Sequence, residues 1–547
     1  MENPSLFSRL KRKRADWMRD RRLFQLNREI TNNTHPVPEY PTIGFFVASS
    51  RISGISLNAA FSYLAASGLQ VAGFPVSYFA CNAGMSRCVL GTDWQDPYQL
   101  PPCSICISQS RRLYAHAPTV DFTYSEEKSL RQAIDQLSVN ELCEFIYPAV
   151  DEMGDVGDIP LGEIVLPSIR WAVRLHSLPD DEPTRFIFRE FLLSAWHVAL
   201  EFSKFLRQVD PKIMVVFNGI LYPEAIVRWL AQKNGLRVIT HEVGFKPFSA
   251  FFTDQLSTSY PLNIPDGYQL SDEQNKQLDG YLEQRFQGKF TMAGIKFWPE
   301  IRQMDDEFIQ KTRQFDQVVS VFTNVIFDTS QIHSNTIFSS MFSWLDLVLE
   351  LITSHPKTLF VIRAHPDELR FGKQSRESVS DWIASHAVDQ IPNVVFIRPK
   401  EYFSSYDLIQ RSKFIMVYNS SIGLEAALMG KVVLGGGKAR YTQYEIVYTP
   451  HTPLEYRNLA EEFLMADEEL VIPENYFENA RNFMYFQQFK ASLPFDKFLE
   501  DHTNPGFVRL KKFSWWEMKA EHSSTMASII NGIVHDQPFL MEEAENA

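Results

Sequence analysis

Two short motifs in the second half of the sequence carry residue types that bind phosphate. The first is Arg363-Ala-His-Pro366, which follows an apolar run that predicts a strand ended by the proline. Arg363 offers a planar fork of donors, and His365 offers a directional donor that can also release a proton. This combination predicts a phosphate site in which His365 is catalytic. The alternative is a histidine that only caps the loop.

The second motif, at 414–430, predicts a strand, a hydroxyl-rich turn and a helix. Its candidate binding residues are Asn419, Ser420, Ser421, Gly423 and Glu425. The turn lies where free backbone N–H groups and the positive end of the helix dipole favour an anion. The glycine permits close approach of a ligand, and the carboxylate is predicted to accept hydrogen bonds from ribose hydroxyls. The alternative is that Asn419 or Ser420 only caps the helix, with Glu425 completing a capping box.

Three consecutive glycines, 435–437, follow the next predicted strand and favour another close-approach loop. Together with the two motifs they favour nucleotide-sugar binding in this half of the chain. In the first half, Thr240-His-Glu-Val-Gly244 ends a predicted strand. Glu242 is the predicted catalytic base for an acceptor hydroxyl, provided that partial burial raises its pKa. The alternative is that Glu242 pairs with an arginine or caps a helix. Asn218 and Glu224 are further candidates for the acceptor side.

The elements that must position these residues alternate as strand and helix in both halves of the chain. The pattern predicts α/β domains at 42–270 and 316–471, a helical connector at 271–315 and a helical extension at 472–547 without strands. In the first domain, a helix stopped by Gly68 and a strand at 69–76 are expected. Because parallel sheets bind ligands at the carboxyl ends of their strands, the two domains are predicted to face each other across a cleft.

The motifs resemble those of bacterial capsule-polysaccharide-synthesis glycosyltransferases of the GT-B fold, which has two Rossmann-like, doubly wound domains. The resemblance rests on Arg363-Ala-His-Pro-Asp-Glu368, Ser404-Ser-Tyr-Asp407 and Tyr418-Asn-Ser-Ser-Ile-Gly-Leu-Glu-Ala426. The motifs are also similar to those of bacterial sialyltransferases. The resemblance implies a nucleotide-sugar donor in the C-terminal half and a polysaccharide or lipid-linked glycan acceptor in the N-terminal half.

No Asp-x-Asp is apparent at a predicted strand end of the C-terminal half, so transfer without a metal or other cofactor is expected. The alternatives within enzymes are a nucleotide-activated polyol-phosphate transferase and a UDP-sugar 2-epimerase. A non-catalytic scaffold of the capsule assembly machinery is the alternative outside enzymes.

Four of the five cysteines form a cluster in the sequence: Cys81, Cys88, Cys103 and Cys106. Two thiolate pairs predict one structural zinc, with an iron–sulfur cluster as a second candidate because it takes similar ligands. Buried free thiols are the alternative without a metal.

The formal net charge is −13 at pH 7, which disfavours nucleic acid as a partner. Residues 1–22 are the exception, with eight basic and three acidic side chains. They open a basic arm and linker, 1–41, predicted either to contact an anionic membrane surface or to remain solvated. The sequence shows neither a membrane-length apolar run nor a signal peptide. A cytoplasmic protein, peripheral at the inner face of the plasma membrane, is therefore expected.

Overall fold

The computed structural model describes residues 21–48, 54–287, 306–327, 331–369, 374–401, 403–502 and 506–542. Residues 1–20, which hold most of the predicted basic arm, lie outside the described residues. Residues 21–33 form a helix, α1, whose Leu23, Leu26 and Ile30 are buried in the N-terminal domain. This helix belongs to the folded domain, so an arm and linker is the wrong description of residues 21–33.

The N-terminal domain contains a mostly parallel sheet covered on both faces. Its own strands are β1 (Ile43–Val47), β3 (Val76–Cys81), β4 (Thr119–Phe122), β5 (Ile213–Phe217), β6 (Arg237–Val243) and β7 (Ser249–Thr253). They lie in the order β7-β6-β5-β1-β3-β4, and only β7 is antiparallel to its neighbour in this set. Phe45 packs into one core and Phe46 into the other, so β1 is apolar throughout.

Helices and one short extra strand connect the strands of this sheet. They are β2 (Ile55–Ser56), α2 (Leu57–Val71), α3 (Cys103–Leu113), α4 (Lys128–Ile134), α5 (Val139–Cys143), α6 (Leu161–Val173), α7 (Glu182–Val209) and α8 (Tyr222–Lys233). Helix α2 begins at the cap Ser56, whose side chain accepts from the Ala59 N–H.

The predicted helix stop at Gly68 and the predicted strand at 69–76 are both wrong. Helix α2 continues to Val71, and β3 begins only at Val76. A Cβ on Gly68 would lie 2.7 Å from the sulfur of Met526, which belongs to the C-terminal end of the described chain. The glycine therefore serves close helix packing and does not terminate the helix.

The C-terminal domain contains a fully parallel sheet. Its strands are β8 (Gln317–Phe322), β9 (Thr358–Arg363), β10 (Val394–Ile397), β11 (Phe414–Val417) and β12 (Val433–Gly435). They lie in the order β10-β9-β8-β11-β12. The connector and domain helices are α9 (Asp272–Phe286), α10 (Asp306–Thr312), α11 (Gln331–Ser334), α12 (Met341–Ser354), α13 (Val379–Ser385), α14 (Ser405–Arg411), α15 (Ile422–Leu428) and α16 (Pro453–Met465).

The chain then returns to the N-terminal domain. Helix α17 (Glu474–Tyr485) still packs on the C-terminal domain, and a π-helical turn at Phe486–Lys490 follows it. The returning elements are β13 (Leu493–Pro494), β14 (Leu499–Asp501), β15 (Phe507–Leu510) and α18 (Ser524–Val534). Strand β13 pairs with β7, β15 pairs with β2, and α18 packs on α2. The prediction of an extension without strands is wrong, because these short strands bind edges supplied by distant parts of the sequence.

Both sheets have the doubly wound strand order, and the expected GT-B-like α/β fold is confirmed. In each domain the chain builds three strands outward and then crosses back, so that a switch point separates β1 from β5 and β8 from β11. The domains touch where Thr258 Oγ1 lies 3.0 Å from His333 Nε2, and where the His176 N–H donates to Glu377 (2.7 Å). No helix within the described ranges is long and apolar enough to cross a membrane.

Candidate active site

The two phosphate-type motifs begin at one level of the C-terminal sheet. Arg363, the last residue of β9, is in register with Phe322 of β8. Phe322 is also in register with Val417, the last residue of β11. Both motifs therefore leave the carboxyl edge beside the switch point between β8 and β11, where α/β sheets bind ligands.

Arg363 is held at this edge by the loop that follows β8. Its carbonyl accepts hydrogen bonds from the Thr323 backbone N–H (3.2 Å) and hydroxyl (3.0 Å). Burial lowers the pKa of Arg363 to about 10, and the Glu401 carboxylate opposes this shift. The guanidinium therefore keeps its positive charge at neutral pH while lying in a poorly solvated position.

His365 has a defined ring orientation. Its Nδ1 accepts a hydrogen bond from the Asp367 backbone N–H at 3.1 Å. The neutral ring must then carry its hydrogen on Nε2. His365 is half-buried in the loop after β9, so Nε2 is the atom that would donate to an anion. The Nδ1 contact is the one that the loop-capping alternative describes. Loop capping uses Nδ1 and anion binding would use Nε2, so the same histidine can serve both roles.

The turn after β11 is tied to the loop that follows β8. The Asn419 side chain exchanges hydrogen bonds with Gln331 (3.2 Å) and Ser334, and its backbone N–H donates to the Asn324 side chain (3.3 Å). The helix-capping alternative is not observed for Asn419, whereas the Ser420 hydroxyl accepts from the N–H of Ile422, the first residue of α15 (3.5 Å). Ser421, the residue before α15, makes no side-chain cap. Ser420 is buried, and its carbonyl accepts from the Tyr441 hydroxyl (2.7 Å).

Protein side chains take the places that the sequence suggested for a ligand at Gly423 and Glu425. A Cβ on Gly423 would lie 2.2 Å from the Tyr441 hydroxyl, so the close approach there is made by Tyr441. Glu425 is buried, and its two carboxylate oxygens accept from Arg285 and Tyr406, each at 2.6 Å. Ribose binding by Glu425 stays a prediction, and in the structure the carboxylate forms a buried ion pair.

On the facing domain, His241 and Glu242 project from opposite faces of β6. His241 is buried beside Ser62, whose hydroxyl is 2.9 Å from Nε2, and burial lowers the pKa of His241 to about 3. Glu242 shares the face of Thr240, whose hydroxyl accepts from the Ser257 N–H (2.9 Å). Thr258, the residue after Ser257, contacts His333 of the other domain. Glu242 therefore projects on the strand face that leads toward the C-terminal domain.

Two further acceptor-side candidates lie at the start of α8. Asn218 is buried, and its side chain accepts from the Ile220 N–H (3.0 Å), which makes it a turn residue. Glu224 is buried, and burial raises its pKa to about 8. Glu224 is thus a carboxyl group whose proton can exchange near neutral pH, although it lies inside the domain.

The four clustered cysteines surround a cavity of about 200 Å³ at the carboxyl ends of β1 and β3. Its walls are otherwise mostly apolar, and they include Met85 and Phe507. Burial raises the pKa of Cys81 and of Cys88 to about 12, and all the cysteines are free thiols. Among the described residues, no three His, Cys, Asp or Glu side chains are arranged to hold a metal ion. The structure therefore has the free-thiol arrangement, and a zinc or iron–sulfur site stays a prediction.

Sequence reasoning missed a basic cluster, defined here as Arg228, His333 and Lys438. Arg228 lies on α8, His333 on the short helix after β8, and Lys438 after the three glycines. Burial lowers the pKa of His333, and the positive charges of Lys438 and Arg228 lower it further. A lysine directly after a glycine loop was the one available sequence signal.

Comparison with known proteins finds a family match for the segment that holds the motifs. Residues 286–457 match the capsule polysaccharide biosynthesis protein family. This segment contains both phosphate-type motifs, and the expected resemblance to capsule-polysaccharide-synthesis proteins is confirmed. A curated relative, protein FixF of Sinorhizobium fredii, is 24% identical over 238 residues, which cover 44% of this chain and 51% of FixF. The chain thus spans about half the length of the curated relative that it matches.

Two solved structures illustrate the more distant similarity. KpsC of Thermosulfurimonas dismutans, a β-Kdo 2,7 transferase, is 12% identical with a TM-score of 0.32, over 57% of this chain and 85% of KpsC. MnaA of S. aureus, solved with UDP, is 11% identical with a TM-score of 0.27, over 93% of this chain and 100% of MnaA.

Proposed function

We propose that this chain is a glycosyltransferase that moves a sugar from a nucleotide-sugar donor to a surface polysaccharide or lipid-linked glycan. The observation that carries the proposal is the position of Arg363, His365 and the turn at 419–421 around one switch point. The family match over the same segment supports a role in capsule polysaccharide biosynthesis.

In this proposal the C-terminal domain stabilises the departing phosphate. The Arg363 guanidinium neutralises negative charge on the donor, and the backbone N–H groups of Ser420 and Ser421 add further donors. When the bond between the sugar and the phosphate oxygen breaks, the electron pair stays on that oxygen, and the His365 Nε2–H donates a hydrogen bond to the departing anion. The Arg363 charge and these hydrogen-bond donors let the transfer proceed without a metal ion.

The N-terminal domain supplies the base and the acceptor site. Glu242 takes the proton of the acceptor hydroxyl while that oxygen forms the new bond to the anomeric carbon. The apolar cavity at the ends of β1 and β3 supports an acceptor that carries a hydrophobic group, such as a lipid-linked glycan.

The first experiment is a donor panel of UDP-, CMP-, GDP- and CDP-linked compounds. Binding is measured as a rise in the thermal midpoint, since a ligand that binds the native state stabilises it. Transfer is measured with deacylated and lipid-linked acceptors. If no member of the panel raises the thermal midpoint, the result contradicts the proposal and favours a non-catalytic scaffold. Conversion of a UDP-sugar without an acceptor would identify a UDP-sugar 2-epimerase. Transfer of a polyol phosphate from a CDP compound would identify a polyol-phosphate transferase.

Variants then test the residue roles. His365→Asn removes the Nε2 donor and is expected to lower kcat by about 100-fold or more with an unchanged thermal midpoint. His386→Asn, on the partly exposed end of α13, is the matched control. Glu242→Gln is expected to abolish transfer while nucleotide binding persists. If Glu224→Gln abolishes transfer and Glu242→Gln does not, the base is Glu224.

A further inference from the structure

The basic cluster joins the two domains beside the Asn419 turn. Arg228 runs along Gly219, where a Cβ would lie 2.9 Å from Arg228 Cδ and 3.2 Å from Thr240 Cγ2. The Thr240 hydroxyl accepts from the Ser257 N–H. Thr258, the next residue, contacts His333 of the other domain at 3.0 Å. Arg228 is thereby brought to the domain interface.

On the C-terminal side, the backbone positions of His333 and of the exposed Lys438 are linked to the Asn419 turn. His333 lies between Gln331 and Ser334, which both hydrogen-bond the Asn419 side chain. The Lys438 backbone N–H donates to the Ser334 carbonyl at 3.0 Å. The cluster is therefore adjacent to the turn that the proposed function assigns to the donor.

The charges of this cluster are not balanced by acids. Within the part of the chain that the structure describes, no carboxylate pairs with Arg228 or Lys438, and the buried Arg228 Nε has no hydrogen-bond partner. Arg285, by contrast, is paired with the Glu425 carboxylate. A largely buried guanidinium without an anion is destabilising, and a bound anion offsets this.

We propose that Arg228, His333 and Lys438 form an oxyanion site that binds a phosphate or carboxylate group of the substrate from both domains at once. The proposal deepens the proposed function, because it assigns a negative charge to the group bound at the domain interface. The oxyanion can come from the donor phosphates, since Asn419 is adjacent. It can also come from an acidic group of the acceptor, since Arg228 belongs to the N-terminal domain.

The test uses inorganic pyrophosphate, inorganic phosphate and glucuronate as probes, with binding measured by calorimetry on the full chain. The wild-type chain is expected to bind at least one of them, and Arg228→Gln and Lys438→Gln are each expected to weaken that binding at least 10-fold. Lys233→Gln, an exposed lysine on the same helix as Arg228, is the matched control and should bind as wild type. Absence of binding to the wild-type chain, or equal binding by Arg228→Gln, overturns the proposal.

Two further measurements identify the source of the oxyanion and guard against misfolding. Weaker nucleotide-sugar binding by Arg228→Gln assigns the site to the donor. Unchanged nucleotide-sugar binding with a KM raised at least 10-fold for an acidic acceptor assigns it to the acceptor. The thermal midpoint of Arg228→Gln without ligand should not fall below wild type, because the substitution removes an unpaired buried charge. Binding of the probes is independent of transfer, so a chain that binds them and transfers no sugar contradicts only the proposed function.

Discussion

Replacement of Arg285 by methionine should strongly destabilise the C-terminal domain. The Arg285 and Glu425 side chains are 7% and 5% exposed, and Nη2 lies 2.6 Å from Oε1. Methionine leaves the Glu425 carboxylate buried with Tyr406 as its remaining hydrogen-bond donor among the contacts described above. Breaking a buried pair on one side lowers the free energy of unfolding by about 3–5 kcal/mol. The effect is measured by urea unfolding followed by circular dichroism.

A double-mutant cycle separates the interaction energy of the Arg285–Glu425 pair from the effect of losing each side chain. The variants are Arg285→Met, Glu425→Leu and their combination. Because the double variant leaves no buried charge, it should be more stable than the sum of the single effects predicts, by at least about 2 kcal/mol. The exposed pair Arg509–Glu500 is the comparison, with Arg509→Met expected to cost less than about 1 kcal/mol.

Arg285→Met and one further variant, Glu425→Gln, decide the role of Glu425. A loss below about 1 kcal/mol for Arg285→Met, equal to that of the exposed pair, would refute the buried-pair argument. The sequence-based role at the ribose makes the opposite prediction for Glu425→Gln. That variant would lose nucleotide binding at unchanged stability, and both quantities are measured on one protein preparation.

Four other perturbations test separate parts of the structure. Burial lowers the pKa of His241 to about 3, so between about pH 6.5 and pH 3 the unfolded chain binds a proton at this histidine that the native chain does not bind. Stability should therefore fall as the pH drops below 6.5, by up to about 1.4 kcal/mol per pH unit, and His241→Gln should flatten that slope in unfolding titrations. Glu224, whose pKa is raised to about 8, acts in the other direction: stability falls as the pH rises from about 4.5 to about 8, and Glu224→Gln removes this loss. Gly423→Ala should lower the free energy of unfolding by about 1–3 kcal/mol, and Tyr441→Phe should recover part of it by removing the hydroxyl that clashes. The zinc prediction requires one zinc per chain by elemental analysis, lost in Cys103→Ser, whereas metal-free protein with titratable thiols contradicts it.

The strands of the C-terminal sheet could be predicted closely from the sequence. The sequence pattern predicts strands at 317–323, 358–363 and 414–418. The second range is β9 itself, and the other two end one residue beyond β8 and β11. Buried parallel strands are short, continuous apolar runs, so their pattern survives without knowledge of their neighbours. Polar residues that follow such runs must lie at the carboxyl edge, which is why Arg363 and the Asn419 turn could be located.

The roles of single residues depended on partners that are distant in sequence. Gly68 serves a contact with Met526, and Gly423 makes room for Tyr441. Glu425 is paired with an arginine 140 residues earlier in the chain. A glycine or a carboxylate has the same local pattern whether a ligand or a side chain fills the space next to it. Local patterns therefore located these positions and could not assign their contacts.

The return of the chain to its first domain has a consequence for biosynthesis. Strand β13 extends the edge at β7, and α18 covers α2, yet both are translated after the entire C-terminal domain. While the ribosome is still producing residues 306–465, the edge of β7 and the apolar face of α2 remain uncovered. The first domain to emerge must therefore be the last to be completed, and a transcript cut short before codon 493 yields a chain with an open sheet edge that is prone to aggregate.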